Sequence, residues 1–417
     1  MGMIENNKKI LKFPKDFLWG VSTSAYQIEG GIANDWSRWE KSEVRIKKLE
    51  KEGKNPDDFI CGQACDSYNR YAEDAKLAKG LNCGAYRLGI EWSRIEPEEG
   101  KWDRKEIEHY RKVLENLKAN NLKVVLTLWH WANPTWLAES GGWSNKKTIE
   151  HFLRYSELIV KELGDLVDYW VTINEPMMHV ANGYIISKWP PNQKNFFKAH
   201  KTFKNLVKAH EISYGIIHDR YPEAQVGLTM LANYFEPARK WCPVEVIYAY
   251  LANHFWNDKF LKKLKGKFDY VGVDYYFHDR LVWHPPFKRN FDKKITDMGW
   301  EIYPKGIYYV LKNYKKFNKP LFIMENGIAD RDDNQRSKFI IDHLKYVHQA
   351  ISERVNVSGY FYWSLLDNFE WADGFGPKFG LYKVDRKTFE RIARPSAKVY
   401  AGICKNNIIK ISNSQFT

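Results

Sequence analysis

The chain has 417 residues, 44% hydrophobic and 28% charged, with a net charge of +14 from 65 Lys and Arg against 51 Asp and Glu. The apolar fraction suffices for a large core, and no run of about 18 apolar residues is present to span a membrane. A basic excess can mark a nucleic-acid partner, but here Lys is interleaved with Glu, as in Lys47-Lys48-Leu49-Glu50-Lys51-Glu52, so it is read as a solvated surface and no nucleic-acid partner is expected.

Five Cys at irregular spacing argue against a disulfide framework, and Cys61 and Cys65 lack the second pair or nearby His of a zinc site. The N-terminal dozen residues are polar and basic, unlike a signal peptide. Reduced thiols and a cytoplasmic location are the expectation.

Along the chain, short apolar runs alternate with longer amphipathic stretches, with no tandem repeat and no low-complexity linker. Strands are predicted over 17–24, 85–90, 123–128, 169–174, 225–230, 270–273, 321–324 and 359–363. Between them the spacing predicts helices over 67–81, from Asp103 onward, over 148–163, around 203–217, over 244–264 and over 336–352, with a closing helix from Pro395. Ile107, Tyr110, Val113, Leu114 and Leu117 share one face of the second helix; Ile149, Phe152, Leu153, Ile159 and Leu163 form the stripe of the third.

Eight strands interleaved with helices predict an α/β fold, a single-domain (β/α)8 TIM barrel filling residues 1–417. A doubly wound open sheet alternates similarly, but no Gly-rich phosphate loop opens a first helix. In a barrel of this kind the active groups sit at the C-terminal strand ends. Two predicted strands, the fourth and the seventh, end in a carboxylate beside an Asn: Asn174-Glu175-Pro176 and Glu325-Asn326-Gly327. Two such carboxylates are what glycosidic bond cleavage needs, although each alone could be a salt-bridged strand end.

Aromatics reach 16%, with 17 Trp, and many lie just past the predicted strands: Trp92, Trp129, Trp131, Trp136, Trp143, Trp363 and Trp371. Indole stacks on the C–H face of a pyranose, and it also fills large cores, so composition leaves both roles open. His130 has no second His or carboxylate spaced to join it on a metal, and no metal is expected.

Five segments in order then resemble the family 1 glycoside hydrolases, the β-glucosidase and β-galactosidase family. They are Phe17-Leu18-Trp19-Gly20 with Tyr26-Gln27-Ile28-Glu29-Gly30, Tyr86-Arg87 through Glu91-Trp92-Ser93-Arg94, Asn174-Glu175-Pro176, Glu325-Asn326-Gly327, and Trp363-Ser364 through Glu370-Trp371. The resemblance implies a retaining β-glycosidase without cofactor, acting on a β-linked oligosaccharide or an aryl or alkyl glycoside. It implies Glu175 as acid/base and Glu325 as nucleophile, with Arg87 favouring the anion and Tyr276 hydrogen-bonded to it. Gln27, His130, Asn174, Glu370 and Trp371 match positions that hold ring hydroxyls, Trp363 the platform under the sugar, and Phe379 an aromatic wall. Glu370 replaces the Ser usual in the phospho-glycosidase branch, implying an unphosphorylated sugar.

Three departures stand out: Asp274-Tyr275-Tyr276 where Asn-Tyr-Tyr is usual, Met324 where Thr is usual, and Ala132-Asn133-Pro134 in place of Asp-Leu-Pro. The extra carboxylate at Asp274 is expected to move pKa values near the site. A mannosidase, a transglycosidase or a non-catalytic carbohydrate-binding member stay open as alternatives. A homo-oligomer is compatible with the sequence.

Overall fold

The structure, a computed structural model, describes residues 4–5, 8–290 and 294–412. Eight parallel strands close into a barrel: β1 (Leu18–Ser22), β2 (Ala85–Gly89), β3 (Lys123–Trp129), β4 (Tyr169–Ile173), β5 (Gln225–Leu231), β6 (Tyr270–Asp274), β7 (Leu321–Asn326) and β8 (Val357–Trp363). Closure is made by β8 on β1, with Gly359 opposite Leu18 and Trp363 opposite Ser22. The expected (β/α)8 barrel is therefore the fold.

The strands form where the sequence offers short, nearly unbroken apolar runs, which suit parallel strands covered on both faces. In β3 every residue from Val124 to Trp129 is buried. Helices α1 (Ser67–Gly80), α2 (Arg104–Ala119), α3 (Lys147–Leu163), α4 (Phe196–Arg220), α5 (Pro243–Ala252), α6 (Lys305–Tyr314), α7 (Arg336–Ser352) and α8 (Pro395–Asn406) accompany them. The start of α2 is fixed by Asp103, whose carboxylate accepts from Lys105 N at 2.9 Å and Glu106 N at 3.3 Å, satisfying two otherwise unpaired amides. Ile107, Tyr110, Leu114 and Leu117 then bury one face, with Val113 at its half-buried edge.

Two expectations are corrected, and two features were not foreseen. Leu153 stands off the buried stripe of α3, which turns instead through Tyr155, Ser156 and Val160, because 3.6-residue spacing from Phe152 carries the inner face there. The predicted helix over 244–264 is three pieces: α5, a π-helical turn (Asn253–Asp258) and Lys259–Lys263. Helix α6 was not foreseen. Nor was the antiparallel pairing of Lys8–Lys12 with Ile408–Ser412, which ties the two ends of the described chain together.

Inside the barrel, Ala85, Val125, Val171, Tyr270, Phe322, Met324 and Phe361 form a packed plug. Strict alternation along β7 would send residues 324 and 325 to opposite faces. The pairing of β7 slips between Ile323 and Glu325 on the β6 side and between Ile323 and Asn326 on the β8 side. That irregularity lets Met324 stay in the plug while Glu325 also turns inward, into the mouth of the barrel. Among the described residues no helix is long and apolar enough to cross a membrane.

Candidate active site

Glu175 stands two residues past the end of β4, after Asn174, and caps the short helix Pro176–Tyr184. Its backbone is left-handed, with φ 39°, a conformation that costs a non-glycine residue about 1–3 kcal/mol. The position is held by the Glu175 amide, which donates to Thr229 O at 3.0 Å, and by Pro176, whose ring suits the first helical turn. Glu325 sits across the mouth on β7. Asn326 anchors it: Nδ2 donates to Tyr275 O at 2.7 Å, and Oδ1 accepts from Tyr360 OH at 2.9 Å. Gly327 completes the motif because a Cβ there would lie 1.7 Å from Trp363 O.

The two carboxyl groups have different surroundings. Arg87 Nη1 donates to Glu325 Oε1 at 2.6 Å, and Tyr276 OH donates to Oε2 at 3.1 Å. Burial pushes Glu325 up, and the Arg87 charge and these hydrogen bonds pull it back. Glu175 has no such support. Burial holds its carboxyl well above the usual range, with the charges of Asp274 and then Glu325 acting in the same direction. Oxygens of Glu175, Asp274 and Glu325 lie within 4.8 Å of one another, and all three residues are buried. Among the described residues this trio alone is close enough to hold a metal ion, and Arg87 already neutralises one of its charges.

Arg87 and Asn174 are fully buried and lie behind the cavity wall rather than on it. Asn174 Oδ1 accepts from Arg87 Nη2 and from Thr229 Oγ1, the latter at 2.7 Å. Because guanidinium only donates, the Asn174 amide can face just one way. Its Nδ2 therefore donates to His130 Nε2 at 3.0 Å, which makes that nitrogen the acceptor and leaves the proton on Nδ1. His130 Nδ1 is buried without a protein partner, and the residue lines the cavity. Burial and the Arg87 charge keep this His neutral.

The cavity is about 320 Å³, room for one sugar ring, and Gln27, His130, Glu175, Tyr276, Glu325, Trp363, Glu370, Trp371 and Phe379 all line it. Gln27 and Glu370 form a polar corner: Gln27 Nε2 donates to Glu370 Oε2 at 3.3 Å and Ser24 Oγ fixes Gln27 Oε1 at 2.7 Å. Burial among aromatic rings, with the Asp373 and Glu325 charges, pushes Glu370 up to about 8. The tryptophans divide between the two roles left open above. Trp92, Trp129 and Trp143 are core, whereas Trp131, Trp363 and Trp371 face the cavity. Met178, Lys188, Trp189, Met298 and Trp300 also line it and were not singled out from sequence. The last four come from loops without strand or helix periodicity, where only an excess of Trp was visible.

The description “Glycosyl hydrolase family 1” matches residues 9–288 and 256–409. A 1,4-beta-D-glucan glucohydrolase from Thermotoga neapolitana is 33% identical over 95% of this chain and 99% of its own. A solved beta-glycosidase from Pyrococcus horikoshii is 37% identical, with a TM-score of 0.86 over 97% of both chains. A beta-glucosidase from Thermotoga maritima in complex with glucoimidazole is 30% identical, with a TM-score of 0.88 over 95% of this chain and 99% of that one. The chain belongs to glycosyl hydrolase family 1.

Within this family 1 hydrolase the three departures fall in different places. Met324 is part of the barrel plug and does not line this cavity. Ala132 O and Asn133 Oδ1 accept from Trp129 Nε1 at 3.0 and 3.1 Å, and Asn133 grips Asp35, so that substitution rebuilds a loop support. Asp274 is the departure that reaches Glu175 and Glu325.

Proposed function

We propose that this retaining β-glycosidase uses Glu175 as acid/base and Glu325 as nucleophile to release terminal, non-reducing β-D-glucosyl residues. β-D-Galactosyl and fucosyl units are the neighbouring choices. The observation that carries the assignment is the unequal support of two facing carboxyl groups. Glu325 has a cation and a phenol to hold its anion, and Glu175 has only carboxylates and burial to hold its proton. Their spacing fits the retaining class, in which the two groups lie about 5–5.5 Å apart, too close to lodge a water between them.

In the first step a Glu325 oxygen bonds to the anomeric carbon while the bond from that carbon to the leaving oxygen breaks. Glu175 supplies the proton to the leaving oxygen. In the second, water bonds to the anomeric carbon, the ester to Glu325 breaks, and Glu175 takes the water's proton. Trp363 offers the platform for the ring, and His130, Gln27 and Glu370 offer hydrogen bonds to its hydroxyls. Five free thiols, four of them buried, suit a reducing compartment, and we place the enzyme in the cytoplasm.

A panel of aryl β-glycosides with graded leaving groups tests the assignment. Glu325→Gly should lose hydrolysis with the fold intact; turnover of an aryl β-glucoside by that variant refutes the nucleophile. Glu175→Ala should slow poor leaving groups most, and equal losses for good and poor ones refute the acid.

A further inference from the structure

Asp274 ends β6, is fully buried, and lies in the three-carboxylate cluster with Glu175 and Glu325. Arg87 is the one cation among the groups facing it. The others are Glu175, Glu325 and the phenols of Tyr270, Tyr276 and Tyr314. Neither Asp274 oxygen receives a hydrogen bond from a donor group. Thr229 stands beside it, but its single hydroxyl proton goes to Asn174 Oδ1 at 2.7 Å. Arg87 directs its two terminal nitrogens to Glu325 Oε1 and Asn174 Oδ1. What Asp274 does meet is the Glu175 carboxyl, with an oxygen of each group within 4.8 Å of the other. Two carboxyl groups this close can bond only through a proton held by one of them, and beside a charged Glu325 a pair this deep does not carry two negative charges at neutral pH.

We propose that Asp274 is a positioning residue for catalysis, sharing one proton with Glu175 so that the acid/base is loaded at the start of each cycle. The idea rests on Glu175 being the acid. When Glu325 becomes an ester its charge disappears, and with it one of the forces holding the Glu175 proton. The Asp274 charge persists through both steps. As the leaving oxygen takes the shared proton, the pair is left doubly ionised for the moment, which makes it a strong acceptor. The water's proton then restores it. The pair titrates as a unit, and its loss of the last proton sets the alkaline edge of activity.

The test is Asp274→Asn, which keeps size and burial and removes the charge. The alkaline limb of kcat/KM should move down by about one pH unit or more, since a like charge sharing a buried site is what raises the acid. The preference for good over poor leaving groups should stay as in the parent. An alkaline limb that does not move, in a folded variant that keeps that preference, overturns the shared proton and leaves Glu175 as the acid. Equal losses for good and poor leaving groups at Glu175→Ala instead remove the assignment beneath it. If Asp274→Asn does not fold, selective ¹³C labelling of aspartate carboxyls decides in the parent chain. One aspartyl carbon should titrate above the usual range and move in Glu175→Gln, while those of Asp35 and Asp74, also raised by burial, should not. No aspartyl signal responding to Glu175→Gln overturns the proposal.

Discussion

Arg87→Met probes the charge balance of the whole site. The guanidinium is fully buried and donates to Glu325 Oε1 at 2.6 Å, Thr127 Oγ1 at 3.3 Å, Met324 O at 3.5 Å and Asn174 Oδ1. Methionine fills part of the volume and answers none of these acceptors. Three carboxyl groups would then share a buried space without a cation. Breaking a buried pair by removing one partner costs about 3–5 kcal/mol, and that is the loss expected near neutral pH. Glu325 can lower the cost by taking a proton, so its folded pKa rises further above the unfolded value. A folded pKa above the unfolded one gives stability that is present at low pH and lost as pH rises through the folded pKa. The deficit against the parent chain should therefore be small near about pH 4 and grow toward neutrality. Urea unfolding of both proteins across that range measures it. A deficit of equal size at every pH would refute the electrostatic account and leave only lost packing. Activity should fall by at least about 10²–10³-fold, because the nucleophile would enter the reaction protonated.

Other outcomes follow from single contacts. Gly327→Ala places a methyl 1.7 Å from Trp363 O, backbone against backbone, so the ends of β7 and β8 must part. Its Tm should drop by several degrees together with activity, and an unchanged Tm would mean that the approach of the two strands is not needed. Tyr276→Phe removes the 3.1 Å donor to Glu325 Oε2. The nucleophile's carboxylate loses support, so the acid limb of kcat/KM should move to higher pH and the plateau should fall roughly tenfold. A limb that moved the other way would contradict the placement of that hydroxyl.

The barrel could be read from sequence because parallel strands buried on both faces become apolar runs, and because Asp103 marks a helix start with its own side chain. Helix α6 could not. Its residues Ile307, Tyr308, Tyr309 and Val310 favour strands by propensity, and burial of Ile307, Val310, Leu311 and Tyr314 decides for a helix. Glu175 and Glu325 were legible as strand-end carboxylates flanked by Asn. The source of the raised Glu175 pKa was only half legible. Glu325 was expected to supply the charge, and Asp274, expected to move pKa values near the site without a named target, acts more strongly on Glu175. Nothing in the chain order of 175 and 274 announces that contact; it exists because the ends of β4 and β6 converge on one mouth. The tautomer of His130 likewise depends on Arg87, a residue from a different strand.

The slipped register in β7 gives the strand a consequence beyond shape. An odd-numbered insertion or deletion before Glu325 would swing it from the lumen to the helical jacket, while the strand kept almost the same count of apolar side chains. Such a change would be silent in hydrophobicity and fatal to turnover. At this point the enzyme depends on parity, a property that substitution scanning never samples.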